Sequence, residues 1–226
     1  MQLANPEEHR NGAPYEVLIP MDGIVLHGLL NVPLASNSIV VFVHGSGSSR
    51  FSPRNLKVAE DLFRHGFATL LFDLLTEGEN SADSETAAYR FDIDLLTERL
   101  MGAITWLRSQ PTTEKLKVCL FGASTGAAAA LRVAALLKTE IAAVVARGGR
   151  PDLAGPQALA QVVCPTLLIV GGLDDEVIAL NKSAKSFLES SAELKIVEDA
   201  THLFEEPGKL EEVERLALDW FQSNSQ

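Results

Sequence analysis

The stretch that most constrains the fold is a short apolar run followed at once by Gly122-Ala-Ser-Thr-Gly126 and an alanine-rich segment. The apolar run, residues 118–121, predicts a buried strand, and the alanine-rich segment predicts a helix. A strand that turns directly into a helix through Gly-x-Ser-x-Gly is typical of a nucleophile elbow, which exposes the serine hydroxyl above a sheet. The alternative is a turn rich in glycine and serine that only connects two elements. The rest of the chain has to distinguish the two.

Strands and helices alternate along most of the chain. Continuous apolar runs predict buried strands at residues 38–43, 68–72, 118–121, 141–146, 165–170 and 194–197. A hairpin with strands at 15–19 and 24–30, joined through Asp22-Gly23, precedes them. This order predicts an α/β fold, with a mostly parallel, doubly wound sheet of about eight strands and helices on both faces. The N-terminal hairpin is expected to be antiparallel.

The composition fits a single domain over residues 1–226 with a polar N-terminal leader at residues 1–13. A formal net charge of −11 without a basic block argues against nucleic acid and anionic membranes as partners. The leader lacks the apolar core of a signal peptide, and no apolar run is long enough to span a membrane. A cytoplasmic location is therefore expected. The oligomeric state is left open, with a homodimer as one option.

The two cysteines, Cys119 and Cys164, lie in or beside apolar runs and are predicted to be buried, reduced thiols. Two cysteines build neither a disulfide framework nor a zinc site. No other cluster of metal-ligating residues is visible in the sequence. Neither a metal nor a cofactor is expected.

A serine hydroxyl becomes an effective nucleophile when a histidine, held by a carboxylate, accepts its proton. In α/β-hydrolase folds these residues follow one another in the order Ser, Asp or Glu, His, each after a strand. Asp174 follows the next-to-last predicted strand and is the expected acid. Asp175 and Glu176 compete with it, because acidic residues also favour a helix N-terminus. His202 follows the last predicted strand and is the expected base for Ser124.

The other four histidines are expected to be structural or to lie on the surface. They are His9 in the leader, His27 within a strand, His44 at the start of a loop and His65 at a helix C-terminus. His65 would favour that position as a cation in any case. His44 precedes the serine and is expected to shape the loop that it begins.

That loop, His44-Gly-Ser-Gly, is predicted to contribute to an oxyanion hole. The backbone N–H of Thr125, directly after the nucleophile, would supply one donor, and the N–H of Ser46 the other, with Gly45 as the alternative. A phosphate-binding loop is disfavoured, because no Gly-Lys-Ser/Thr ending and no dinucleotide fingerprint follow.

Three arginines follow predicted strands or the oxyanion loop on the same side of the sheet: Arg50, Arg147 and Arg150. A guanidinium group presents a planar fork that grips a carboxylate, so one of them is a candidate for recognising an acidic substrate. A structural ion pair, for example with Asp152 or a loop glutamate, is the alternative.

On these residues the chain resembles the α/β-hydrolase superfamily, and within it the small, dienelactone-hydrolase-like serine hydrolases that are sometimes joined to phosphoribosyltransferase domains. The resemblance extends nearly from end to end. Its motifs are His44-Gly-Ser-Gly-Ser-Ser-Arg50, Phe121-Gly-Ala-Ser-Thr-Gly-Ala127, Ala146-Arg-Gly-Gly-Arg-Pro-Asp152, Val170-Gly-Gly-Leu-Asp174 and Ala200-Thr-His-Leu-Phe204. It implies a Ser124–Asp174–His202 hydrolase acting on an ester, lactone or related acyl compound. Dienelactone hydrolases proper carry cysteine at the position of Ser124. The resemblance therefore implies hydrolysis of an acyl compound but does not imply that dienelactones are the substrate.

Two polar stretches bear on access to this site. Residues 76–85 are predicted to form a loop before a helix of about eighteen residues. Residues 147–164 have room for a loop and one short helix, so no large lid is expected and the site should suit small, soluble acyl substrates.

Alternatives to ester hydrolysis remain open. The same triad could serve acyl transfer to an alcohol or thiol, or peptide hydrolysis, and the fold could persist as a non-catalytic ligand-binding module. A haloalkane-type mechanism is disfavoured because it requires aspartate in place of Ser124. The fold alone does not discriminate among these functions.

Overall fold

The computed structural model describes residues 12–188 and 192–225, which form one eight-stranded sheet with helices on both faces. The strands are β1 (Tyr15–Met21), β2 (Ile24–Asn31), β3 (Ser38–Val43), β4 (Ala68–Phe72), β5 (Lys117–Ala123), β6 (Ile141–Arg147), β7 (Thr166–Gly171) and β8 (Ala192–Val197). The helices are α1 (Pro53–Arg64), α2 (Glu77–Thr86), α3 (Ile93–Arg108), α4 (Thr125–Leu137), α5 (Pro156–Leu159), α6 (Asp175–Lys185) and α7 (Lys209–Asn224). Most of the predicted leader, including His9, lies outside the described residues.

The strand order across the sheet is β1-β2-β4-β3-β5-β6-β7-β8. The β1–β2 and β2–β4 pairs are antiparallel, and the other neighbouring pairs are parallel. The predicted doubly wound sheet with an N-terminal antiparallel hairpin is therefore confirmed. Because β3 and β5 to β8 run in the same direction, their carboxyl ends lie at one edge, where ligands bind in open α/β sheets.

Strand β3 shows why the apolar runs are continuous. All of its residues are buried. Ile39 and Val41 belong to the core between the sheet and α3 and α4, whereas Val40 and Phe42 belong to the core between the sheet and α1 and α7. A strand covered on both faces needs apolar side chains at every position, which removes the polar alternation of a half-exposed strand.

The stretch predicted as a loop at residues 76–85 is mostly the helix α2, so that prediction was wrong. The Thr76 hydroxyl accepts a hydrogen bond from the Glu79 N–H (3.2 Å), and the Glu79 carboxylate accepts one from the Thr76 N–H (2.8 Å). The buried residue of this helix is Asp83, whose carboxylate accepts hydrogen bonds from two backbone N–H groups and from the Arg90 guanidinium. Hydrophobic periodicity cannot detect a helix that turns a carboxylate inwards. The Thr-x-x-Glu capping box was the available signal.

Access to the carboxyl edge matches the prediction. Between β6 and β7 lie one 3₁₀ turn (Pro151–Ala154) and the single turn of α5. The absence of a large lid in this segment is thus confirmed. In the described ranges, no helix combines the length and the hydrophobicity needed to cross a membrane.

Candidate active site

Ser124 lies at the turn from β5 into α4 with φ 50° and ψ −123°. A non-glycine residue with such a backbone costs about 1–3 kcal/mol and persists only where the surroundings enforce it. Hydrogen bonds enforce it here. The Ser124 carbonyl accepts from the N–H groups of Ala127 (3.1 Å) and Arg150 (3.0 Å), and the Ser124 N–H donates to the Arg147 carbonyl (3.3 Å). The turn therefore has the strained backbone that the Gly-x-Ser-x-Gly pattern predicts.

The glycines on either side of the serine allow close backbone packing. A Cβ added to Gly122 would lie 2.6 Å from the Ala127 Cα, and one added to Gly126 would lie 2.5 Å from the His44 carbonyl oxygen. Real Cβ atoms do not approach other atoms so closely, so both positions require glycine. Strand β5, helix α4 and the end of β3 can therefore meet at the serine.

His202 and Asp174 contact each other directly. The His202 Nδ1 lies 2.7 Å from the Asp174 Oδ2. Because a carboxylate only accepts, Nδ1 carries a proton and Nε2 is the atom left to take one. Asp175 and Glu176 lie instead in the first turn of α6. Of the three acidic candidates, Asp174 is therefore the one that the structure brings to the histidine.

The loops that hold this pair are joined through their backbones. The Leu173 N–H donates to the Ala200 carbonyl (2.9 Å), which connects the loop after β7 to the loop after β8. A Cβ on Gly171 would lie 2.5 Å from the Thr201 carbonyl oxygen, so the contact requires glycine. These close approaches position His202 relative to the acid.

Ser124 and His202 line a common cleft of about 240 Å³ at the carboxyl edge of the sheet. Gly45 and Ser46 line it as well, and a Cβ on Gly45 would lie 2.8 Å from the Ser124 Cβ. Thr125 begins α4, where N–H groups have no acceptor within the helix, and it lines an adjoining cavity together with Gly45 and Ser46. The residues predicted to form the oxyanion hole thus lie around the serine. The choice between Ser46 and Gly45 stays a prediction.

His44 is held in a neutral form by its own hydrogen bonds. Its Nδ1 lies 2.9 Å from the Gly45 carbonyl oxygen, and its Nε2 accepts from the Leu74 N–H (3.1 Å). An Nε2 that accepts from an amide is unprotonated, so Nδ1 carries the proton. Burial lowers the pKa of His44 below its ordinary value of 6.5, against the smaller effects of the Gly45 hydrogen bond and Asp73. His44 therefore orders its loop, as the sequence predicts.

His44→Gln is expected to reduce the pH dependence of stability. Since native His44 has a lowered pKa, the unfolded chain binds its proton first, and stability is lost as the pH falls below about 6.5. A glutamine oxygen can still accept from the Leu74 N–H but does not titrate. Denaturant unfolding between pH 7 and pH 5 should give a shallower slope of the unfolding free energy for the variant. Equal slopes for both proteins would rule out this contribution of His44.

The three candidate arginines have different surroundings. The Arg50 guanidinium forms an ion pair with the Asp73 carboxylate, and the backbone N–H of Arg50 donates a hydrogen bond to the same carboxylate (2.7 Å). Arg150 makes two hydrogen bonds to Asp152, of 2.9 and 2.8 Å. For these two, the structure favours the ion-pair alternative. Arg147 lines the cleft, and no carboxylate of the described residues lies within ion-pair distance of it.

Two further residues of the cleft were missed from the sequence. Arg54 and Asn55 lie in the first turn of α1, and the buried Asn55 Oδ1 lies 3.4 Å from the Arg147 Nη2. In the sequence they follow an ordinary cap and proline at a helix start. Only the tertiary approach of α1 to the end of β6 brings them beside Ser124.

The cysteines do not take part in this site. Both are unpaired and buried, as predicted. Burial raises the pKa of Cys119 to about 12 and that of Cys164 to about 11. Thiols that stay protonated at neutral pH are inert as nucleophiles.

Comparison with known proteins relates this architecture to one family. The family model described as "Dienelactone hydrolase family" matches residues 26–224. The crystal structure of a dienelactone hydrolase from Anabaena variabilis is 52% identical, covers 94% of this chain and 98% of its own, and superposes with a TM-score of 0.92. Est1E from Butyrivibrio proteoclasticus covers 92% of this chain and 98% of its own, with a TM-score of 0.77. At 14% identity, it shows a common fold alone.

Two curated relatives come from strains of Mycobacterium tuberculosis, and both are named "Putative phosphoribosyl transferase". Each is 53% identical over 206 residues, which is 91% of this chain but 45% of the relative. The chain thus spans less than half the length of these relatives. The name of these relatives describes proteins more than twice as long as the matching region.

Proposed function

This chain belongs to the dienelactone hydrolase family, and from this premise we propose that it is a hydrolase that cleaves a small carboxylic ester, lactone or related acyl compound. The observation that supports the proposal is the contact between Asp174 and His202, together with the cleft that His202 lines in common with the strained Ser124. In the proposed mechanism these three residues act as a catalytic triad.

The first half of the mechanism forms an acyl-enzyme. The Ser124 Oγ attacks the acyl carbon while the His202 Nε2 takes the hydroxyl proton. The oxyanion accepts hydrogen bonds from the backbone N–H groups of Thr125 and of Ser46 or Gly45. The bond to the leaving oxygen then breaks, and His202 returns the proton to the departing alcohol or, in a lactone, to the opened hydroxyl.

The second half releases the acid. Water attacks the acyl carbon, the His202 Nε2 takes a proton from the water, and the same donors hold the second oxyanion. The bond to the Ser124 Oγ breaks, the serine regains its proton, and a carboxylic acid leaves. Asp174 keeps the proton of His202 on Nδ1 and stabilises the imidazolium that forms in both halves.

The cleft favours small substrates, because its volume is about 240 Å³ and only short elements lie between β6 and β7. Acyl transfer and peptide hydrolysis would pass through the same acyl-enzyme, and no observation favours them. We do not extend the name of the curated relatives to this chain, because more than half of each relative lies outside the matching region. The proposal names a small acyl molecule as partner and involves neither nucleic acid, membrane nor cofactor. A cytoplasmic location and a homodimer stay predictions.

An activity-based probe tests the proposed triad. We expect a fluorophosphonate to label wild-type protein at Ser124, as located by mass spectrometry, and to leave His202→Ala unlabelled because the serine then lacks its base. His65→Ala, which replaces a histidine at the end of α1 outside the cleft, should label like the wild type. A folded wild-type protein that resists labelling would favour the binding-module alternative. A panel of p-nitrophenyl esters, lactones and dienelactone would then narrow the substrate.

A further inference from the structure

The cleft beside Ser124 contains a buried guanidinium group whose charge nothing in the described structure balances. Arg147 ends β6 in register with Ala123, the residue before the serine, and is 7% exposed. Its Nε atom is buried and has no hydrogen-bond partner in the described part of the chain. Its Nη2 lies 3.4 Å from the amide oxygen of Asn55, and its Cζ lies 5.9 Å from the centre of the Phe204 ring, and neither partner carries a negative charge. A buried charge without a counter-charge is costly, so a guanidinium group in these surroundings favours the binding of an anion.

A second arginine lines the same cleft. Arg54 forms an ion pair through Nη1 with Glu205 (2.7 Å), whereas its Nε atom is buried without a hydrogen-bond partner. Burial lowers the pKa of Arg147 to about 10, and the positive charge of Arg54 contributes to this shift. With this pKa, the Arg147 guanidinium is still protonated at neutral pH. Glu205 already pairs with Arg54, so Arg147 is the guanidinium group of the cleft that lacks a carboxylate among the described residues, and an anion bound between the two arginines would reduce their mutual repulsion.

The helix α1 adds to the positive potential. Its first turn carries Arg54 and Asn55 and contains no acidic residue, so the partial positive charge of its N-terminus is not offset there. None of the described residues that line the cleft is acidic. In a chain with a formal net charge of −11, such a cleft stands out as a local basic site.

We propose that Arg147, Arg54 and the N-terminus of α1 form a subsite for an anionic oxygen group, a carboxylate or a phosphate, carried by the substrate. The inference deepens the proposed function, on which it rests for the reaction at Ser124. With the anion in this subsite, the acyl carbon of a small substrate would be held at the serine. Short acyl compounds that carry a second, charged group would therefore be preferred over neutral esters of the same length.

Matched substrates test this preference. The values of kcat/KM are compared for monomethyl glutarate, for the methyl ester of 4-phosphooxybutanoate and for neutral methyl hexanoate. Arg147→Gln should lower kcat/KM for the preferred anionic ester by about 30-fold or more, as expected for a lost charge-assisted hydrogen bond, and for the neutral ester by less than about 3-fold. The two anionic esters distinguish carboxylate from phosphate recognition. A wild-type enzyme without preference for either anion, or equal losses for charged and neutral esters in the variant, would overturn the proposal.

Two further variants separate substrate binding from structural effects. Arg54→Gln should also lower kcat/KM for the anionic ester more than for the neutral ester, but by a smaller factor than Arg147→Gln. This variant tests the proposal if Arg147→Gln does not fold. Arg215→Gln, which removes an exposed arginine of α7 paired with Asp219, is the control and should retain the wild-type preference.

A binding measurement distinguishes failure of the subsite from failure of the proposed hydrolase function. Titration calorimetry with glutarate and with inorganic phosphate should detect binding to the wild-type protein that weakens at least about tenfold in Arg147→Gln. Such binding supports the subsite even if no ester is turned over, in which case the hydrolase proposal fails alone. If the wild-type protein binds neither anion and shows no preference among the esters, the subsite is refuted.

Discussion

Replacing Ser124 with alanine is expected to lower kcat/KM for the best ester substrate by at least about 1,000-fold without unfolding the protein. In the proposed mechanism the Ser124 hydroxyl is the nucleophile, so its removal prevents formation of the acyl-enzyme. Alanine keeps the Cβ atom and the backbone hydrogen bonds of the turn. Steady-state kinetics should therefore show the loss while circular dichroism and the melting temperature stay close to wild type. A variant that keeps more than about a tenth of the activity would exclude Ser124 as nucleophile.

Ser124→Gly is the matched variant, because it separates catalysis from backbone strain. Serine and alanine both place a Cβ on a residue with φ 50°, and only glycine relieves that strain. Both variants should be inactive, yet Ser124→Gly should unfold with a free energy about 1 kcal/mol higher than Ser124→Ala. Denaturant titration of the two proteins measures this difference directly. A glycine variant less stable than the alanine variant would show that the turn is not strained.

Much of this fold could be predicted because burial on both faces leaves a simple pattern. Strand β3 needs an apolar side chain at every position, so its six residues were predicted with the observed bounds. Helix α2 could not be predicted in this way. Its inward side chain is Asp83, whose burial depends on the groups that hydrogen-bond to it, and apolar periodicity does not report such partners.

The candidate site was predictable in its chain order but not in its contacts. Ser124, Asp174 and His202 follow strands whose ends share one edge of the sheet. The choice of Asp174 over Asp175 required the 2.7 Å contact with His202. That contact depends on how the loops after β7 and β8 pack.

The contacts of the arginines could not be predicted from the sequence either. Arg147 and Arg150 lie three positions apart and are alike in the sequence. Asp152 pairs with Arg150 alone, whereas the approach of α1 places Arg54 next to Arg147. Which of them is available to a substrate is therefore a property of the tertiary structure.

Gly126→Ala is expected to lower the free energy of unfolding by about 3 kcal/mol or more, or to prevent folding. Helix propensity alone predicts the opposite sign, since alanine favours a helix over glycine by about 1 kcal/mol. The contact outweighs the propensity. An added Cβ would lie 2.5 Å from the His44 carbonyl oxygen and still closer to that of Val43. The Val43 carbonyl ends β3 and the His44 carbonyl follows it directly. This buried segment cannot retreat without disturbing the pairing of β3 with β5.

Gly78→Ala is the matched control for this prediction. Gly78 also lies in the first turn of a helix, but an added Cβ there meets no atom within 4 Å. Propensity should decide its effect, so the variant should be as stable as the wild type or more stable by up to about 1 kcal/mol. Denaturant unfolding of both variants compares the two situations. If Gly126→Ala were as stable as Gly78→Ala, the end of β3 could not contact the elbow, and the loop proposed to hold the oxyanion would lose its support against Ser124.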